Sequence, residues 1–303
     1  MAHGPTKYTA KNYCIYCGIT NVRLTDEHIV PLALGGQHIL LQASCDACAD
    51  ITKKFEQDVA RDLWGDARAA YGAPTRRKKE RKKTQILHDP DGTAGPLEIP
   101  IWEYPGVFVF YTMSKAGLLN GIHRNNDRSR DWGLIAVTDD NRLEKLQARH
   151  PGRVTAHFRN VPDSFARTLA KIGYCQIMAS LDIGDFSPLC LDLIFGKEKN
   201  ISFVVGGNPN PVEPAGFGYQ TATHLIGNSE RRLLVSEIRL LANCHTPEYH
   251  VVVGEITGRD KIREVEEKIA ATFSVIVPDE FAGPLSKHEG FHWLPLCWPP
   301  EGA

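Results

Sequence analysis

Four cysteines fall early in the chain as two pairs of one spacing, Cys14-x-x-Cys17 and Cys45-x-x-Cys48. Two thiols separated by two residues can grip one ion from a tight knuckle, and a second such pair completes a tetrahedral four-sulfur zinc site. Between the pairs stands Leu24-Thr25-Asp26-Glu27-His28-Ile29-Val30-Pro31-Leu32-Ala33-Leu34-Gly35-Gly36. Histidine titrates close to neutral pH and can take a proton from water. A carboxylate beside it suits a hard divalent ion. On a regular strand Glu27 and His28 would point to opposite faces, so they converge on one ion and one water only where the backbone is bent or bulged. Gly35-Gly36 supplies the tight turn that folds a second strand back.

The element that follows the second cysteine pair reads as a helix. Phe55, Val59 and Leu63 recur at i+4 from Ile51, with Ala60 and Trp64 alongside, while Lys53, Lys54, Asp58, Arg61 and Asp62 take the opposite face. Such a helix can begin at Cys45-x-x-Cys48, which sets its first turn beside the zinc.

Taken together, Cys14-x-x-Cys17, Glu27-His28-x-x-Pro31, Gly35-Gly36 and Cys45-x-x-Cys48 followed by a helix resemble the HNH endonucleases over residues 12 to about 56. The resemblance implies a ββα-metal (His-Me) finger, here in a version stapled by zinc. It implies His28 as the general base, Glu27 as a ligand of a catalytic divalent ion (Mg²⁺ or Mn²⁺), and Cys14, Cys17, Cys45 and Cys48 as ligands of a structural Zn²⁺. Two places depart from the family pattern: Leu40 stands where the central asparagine usually falls, and Ala49 where an Asn or His usually follows the fourth cysteine. Asp50-Ile51-Thr52-Lys53 repeats the ligand-x-x-Lys spacing one residue later, which makes Asp50 the candidate second ligand, with Glu56 behind it. His38 is the candidate to replace the asparagine in fixing the loop or orienting His28.

The sequence divides into residues 1–71, the finger; 72–99, a basic linker; and 100–303, a mixed domain whose role it does not reveal. The fold class expected is α+β. The junction carries Arg76-Arg77-Lys78-Lys79-Glu80-Arg81-Lys82-Lys83. Beside a nuclease site, Arg76, Arg77, Lys78, Lys79, Arg81, Lys82 and Lys83, with Lys53 and Lys54, are candidates for contact with nucleic-acid phosphates. Beyond it, Val107–Tyr111 and Ile201–Val205 read as short buried strands, and Leu233–Leu241 with Tyr249, Val251 and Val253 as a hairpin. Pro162 opens a helix through Phe165, Leu169 and Ile172, and Arg259–Ala271 is an amphipathic helix. Cys175, Cys190, Cys244 and Cys297 are scattered singly and suit small buried apolar positions.

At 303 residues with 42% hydrophobic and 23% charged residues, the composition excludes global disorder and a fibrous repeat. No apolar run reaches the length of a membrane span, and the N-terminus lacks the apolar stretch of a secretory signal, so a cytoplasmic protein with no membrane partner is expected. The net charge of −1 conceals a division, since residues 1–84 hold 14 Lys and Arg against 9 Asp and Glu. A basic first part fits a polyanionic partner. The function expected is hydrolysis of DNA phosphodiester bonds, with double-strand cutting calling for a homodimer or two binding events. The alternatives are a zinc finger that binds nucleic acid without cutting, and a nuclease gated by a C-terminal sensor domain.

Overall fold

The computed structural model of the chain describes residues 5–73, 79, 81–89, 91–153, 158–215, 218–272 and 291–295. It opens with β1 (Thr6–Tyr8), β2 (Leu24–His28) and β3 (His38–Cys45), a three-stranded sheet in the order β1-β3-β2. The strand β1 runs parallel to β3, and β2 antiparallel to it. The chain continues from β3 into α1 (Asp46–Gln57), a π-helical stretch (Asp58–Leu63) and α2 (Gly65–Ala70). Phe55, Val59 and Leu63 are all buried, as the i+4 pattern requires.

The stretch expected to be a linker contains a hairpin, β4 (Thr84–Leu87) paired with β5 (Leu97–Pro100). Gln85, Leu87 and Ile99 point inward and are buried, which gives that short pair an anchored face. Arg76, Arg77 and Lys78 lie outside the described residues, as does Cys297.

Next come β6 (Val107–Thr112), β7 (Gly133–Asp139) and α3 (Asp140–Arg149), with β7 flanked by β6 and by β13 (Phe291–Pro295). The helix α4 (Pro162–Ser180) opens with Pro162 in its first turn, where a missing N–H costs nothing. After β8 (Ser187–Pro188), α5 (Leu191–Ile194) and β9 (Val205–Gly207), the chain forms β10 (Tyr219–Gly227), β11 (Arg231–Leu240) and β12 (Glu248–Thr257). These assemble in the order β10-β11-β12-β8, with β9 also paired to β12, and α6 (Arg259–Thr272) follows. The architecture is mixed α+β.

The strand expected over Ile201–Val205 is confined to Val205–Gly207. The Asn200 side chain accepts from the amide and hydroxyl of Ser202 and holds the preceding residues in a turn instead. Among the described residues, no helix is long and apolar enough to cross a membrane.

One apolar core runs from the finger into the rest of the chain. Trp64 is its hinge point. Its ring packs on Phe108, Phe110 and Phe165, and its indole N–H donates to the Val109 carbonyl at 2.6 Å. The helix α4 lies between the finger and the large sheet. Toward the sheet it offers Gln176, whose side chain bonds those of Ser236 and Thr223. Toward the finger it offers a helical stripe: Ser164 bonds Asp58, Arg167 stacks on Phe55, Lys171 reaches β2, and Tyr174 bonds the Ile15 carbonyl.

Candidate active site

The first knuckle turns at Gly18, which has φ +75° and donates its amide to the Cys14 carbonyl at 2.8 Å. The Cys14 amide bonds the Ile19 carbonyl, closing the loop from the other side. The second knuckle is the junction of β3 and α1, so Cys45 and Cys48 lie at a helix start. The Sγ atoms of Cys14, Cys17, Cys45 and Cys48 all lie within 4.8 Å of one another, and those of Cys17 and Cys45 are 3.8 Å apart. A tetrahedron with Zn–S bonds of about 2.3 Å has edges of about 3.8 Å. Four soft thiol donors in that arrangement can bind zinc.

The backbone between β2 and β3 carries the irregularity that Glu27 and His28 need. Thr25 faces Ser44, but Glu27 faces Leu40, and the register shifts between them. The carboxylate of Asp26 accepts the amide of Gln42, which has φ +48°, and so pins the bulge. The turn at the far end uses its glycines for two different reasons. Gly35 takes φ +93° at the end of a short 3₁₀ turn. Gly36 crosses so near the chain that an added Cβ would sit 1.8 Å from the Val30 carbonyl oxygen.

Between β2 and α1 opens a cavity of about 490 Å³. Thr25, Asp26, Glu27 and His28 form one wall, and Ala49, Thr52, Lys53 and Glu56 of α1 form another, with Arg61 and Arg68 also lining it. Arg68 is held by the carbonyls of Ala33 and Ala60 at 2.7 and 2.6 Å. Residues 49, 52, 53 and 56 share one face because each step along a helix turns about 100°.

That geometry decides the fate of the second expected ligand. Asp50 is exposed and does not line the cavity, one step round the helix from Ala49. Glu56 does line it. Its Oε1 is buried. Glu27 is 7% exposed. Two carboxylates on facing walls of one cavity form an oxygen-donor set of the kind a hard divalent ion takes.

Both carboxylates meet a third group that the sequence did not single out. The Lys171 ammonium, from α4, lies 2.7 Å from Glu27 Oε1 and 2.9 Å from Glu56 Oε1. It also donates to the carbonyl of His28, and lies 3.5 Å from that of Ile29. Lys171 is wholly buried. Burial alone would lower its pKa, but the charges of Glu27 and Glu56 outweigh that and hold it above the ordinary lysine value. For Glu56 burial is the leading cause, and its carboxyl stays above the usual range despite Lys171. The one signal in the sequence was a lysine inside Phe165-Ala166-Arg167-Thr168-Leu169-Ala170-Lys171-Ile172-Gly173-Tyr174-Cys175, a stretch otherwise suited to burial.

His38 is placed apart from His28. It accepts or donates at Nδ1 with the Tyr8 hydroxyl at 2.9 Å and lines a separate small pocket with Gly36, Tyr219 and Thr221. His28 pairs across the ladder with Ile39, so the neighbouring side chain at 38 faces the other side of the sheet. Leu40, in the asparagine's place, is fully buried opposite Glu27.

Of the expected phosphate contacts, Lys53 lines the cavity and Lys54 does not. Lys79, Arg81, Lys82 and Lys83 are exposed. Arg81 donates to the Ala73 carbonyl at 2.8 Å and Lys82 pairs with Asp66 at 2.9 Å, which ties the end of the basic run to α2.

No curated protein and no solved structure matches the chain. Residues 14–63, which hold the four thiols, the bulged Glu27-His28 strand and α1, match the family model of the HNH endonucleases, a family that acts on nucleic acids and uses metal ions.

Proposed function

We propose that the protein is a metal-dependent endonuclease that hydrolyses DNA phosphodiester bonds in the cavity between β2 and α1. The observation that carries this reading is the convergence of His28, Glu27 and Glu56 on that one cavity, with Lys53 and Arg61 beside them. Glu27 and Glu56 would hold the divalent ion, Mg²⁺ or Mn²⁺, and Glu56 is preferred to Asp50 because it lines the cavity. The bound ion would relieve negative charge on the scissile phosphate and on the leaving oxygen. His28 takes the proton of the attacking water as general base. Lys53 and Arg61 attract backbone phosphates, and the exposed basic residues from Lys79 to Lys83 extend that attraction along the strand. His38 ties β3 to β1 through Tyr8 and takes no part in proton transfer.

One finger of this kind cuts one strand, and two chains acting together would cut both. A cluster of thiols that binds zinc in place of forming disulfides suits a reducing compartment such as the cytoplasm. Incubating supercoiled plasmid with the purified chain and Mg²⁺ or Mn²⁺ tests the reading. Relaxed circles are expected. DNA that is retarded in a gel but stays supercoiled would instead identify a finger that grips without cutting.

A further inference from the structure

Two buried or half-buried carboxylates and one buried ammonium share the floor of the cavity. The ammonium lies within 3 Å of a carboxylate oxygen on each side, so it stands in the space where an ion bridging Glu27 and Glu56 would sit. It is also fixed from behind by the main chain of His28, the residue next to Glu27. A divalent ion entering this site meets a net charge of −1 from the three groups, where the carboxylates alone would offer −2. Repulsion between a wholly buried, fixed ammonium and a divalent ion a few ångströms away exceeds what is lost by leaving two side chains less well ordered. Charge therefore dominates positioning here.

Resting on the metal site proposed above, we propose that Lys171 is the resident counter-ion of the Glu27–Glu56 pair and competes with the divalent ion for it. The helix α4 thereby sets the metal concentration at which the finger loads. With no divalent ion bound, Lys171 neutralises one carboxylate and keeps the bulged end of β2 in place. When the ion enters, the ammonium gives up its contact with at least one carboxylate and remains on the carbonyls of His28 and Ile29. This assigns to the part of the chain beyond the finger a definite task at the site. The seat of the competition is a single side chain, on the face of α4 that also packs on Phe55 through Arg167 and on Ile15 through Tyr174.

The test is Mn²⁺ binding to the zinc-loaded full chain, followed by electron paramagnetic resonance without DNA. Lys171→Met is expected to bind Mn²⁺ at least tenfold more tightly than the wild type. Lys171→Arg, which keeps the charge, should stay within about threefold of it. Adding Glu56→Gln to Lys171→Met should abolish the gain. A Lys171→Met chain that keeps its zinc and its melting temperature but binds Mn²⁺ no more tightly than the wild type overturns the proposal. Should that variant fail to fold, the wild type serves instead. NMR of the lysine ammonium groups is expected to show one slowly exchanging signal that shifts or is lost on adding Mg²⁺, and an unmoved signal at saturating Mg²⁺ overturns the proposal equally. Failure of the underlying reading looks different: neither chain would bind Mn²⁺, and neither would nick plasmid. Nicking with equal Mn²⁺ affinities refutes the competition alone.

Discussion

The indole N–H of Trp64, between the π-helical stretch and α2, donates to the carbonyl of Val109 on β6 at 2.6 Å. The bond crosses from the finger into the part of the chain that follows it, inside a cluster of Phe108, Phe110 and Phe165. The finger is consequently one wall of a larger core. Trp64→Ala should cost about 3–5 kcal/mol, the range for removing a large buried side chain. Trp64→Phe, which fills much of the space but removes the indole donor to the Val109 carbonyl, should cost about 1–3 kcal/mol. Urea denaturation measures both, and a Trp64→Ala chain as stable as the wild type would refute the role given to this ring.

Gly36 and Gly65 make a matched pair. At Gly36 a Cβ would collide with the Val30 carbonyl at 1.8 Å, whereas at Gly65, the first residue of α2, nothing lies within 4 Å. Gly36→Ala is expected to distort the turn between β2 and β3 and to lower zinc content and melting temperature together. Gly65→Ala should be neutral or stabilising by up to about 1 kcal/mol. Metal analysis and thermal melting of the two variants decide it, and an unaffected Gly36→Ala would count against the close crossing.

Zinc removal tests the continuity of the core. Ile15 and Tyr16 follow Cys14 directly and touch Tyr174 and Cys175 of α4. Tyr13 and Lys11 bond Asp182 just beyond that helix. Chelation should therefore lower the melting of the whole chain in one transition, since metal binding and folding are coupled. A small early transition, with the remainder melting unchanged, would contradict this.

His250 on β12 accepts the Ala116 amide at Nε2, 3.0 Å away. Burial first, and then the charge of Lys115, push its pKa down to about 4. The unfolded imidazole titrates near about 6.5, so between those values the unfolded chain binds the proton and the folded chain does not. The stabilisation is present above about pH 6.5 and is lost as pH falls toward about 4, amounting to about 2 kcal/mol once partial exposure is allowed for. His250→Gln keeps an acceptor for Ala116 and should flatten that part of the stability profile. An unchanged slope between pH 4 and 6.5 would contradict it.

What the sequence revealed of the site was its local chemistry. Thiol spacing, a glycine pair and an acid beside a histidine are each fixed within a few residues, and the need for a bulge at Glu27 followed from strand alternation alone. The second carboxylate was harder. Spacing pointed one residue past Ala49 to Asp50, whereas the helix turns that residue outward and brings Glu56 round to the cavity. Lys171 was beyond reach because its partners lie far away in the chain, and only tertiary packing brings α4 against β2. The hairpin of β4 and β5 was hidden for another reason, since its strands are four residues each and flank a turn-rich loop.

The central claim is that His28 activates water at a carboxylate-held ion. Its most direct measurement is the rate of plasmid nicking in Mg²⁺ by the wild type and by His28→Ala, at protein concentrations where both bind the DNA equally. The wild type should relax the plasmid, and His28→Ala should do so at least about 100-fold more slowly, in line with loss of a general base. Equal rates in the two chains, or no nicking by the wild type under conditions where it binds the plasmid, would contradict the account.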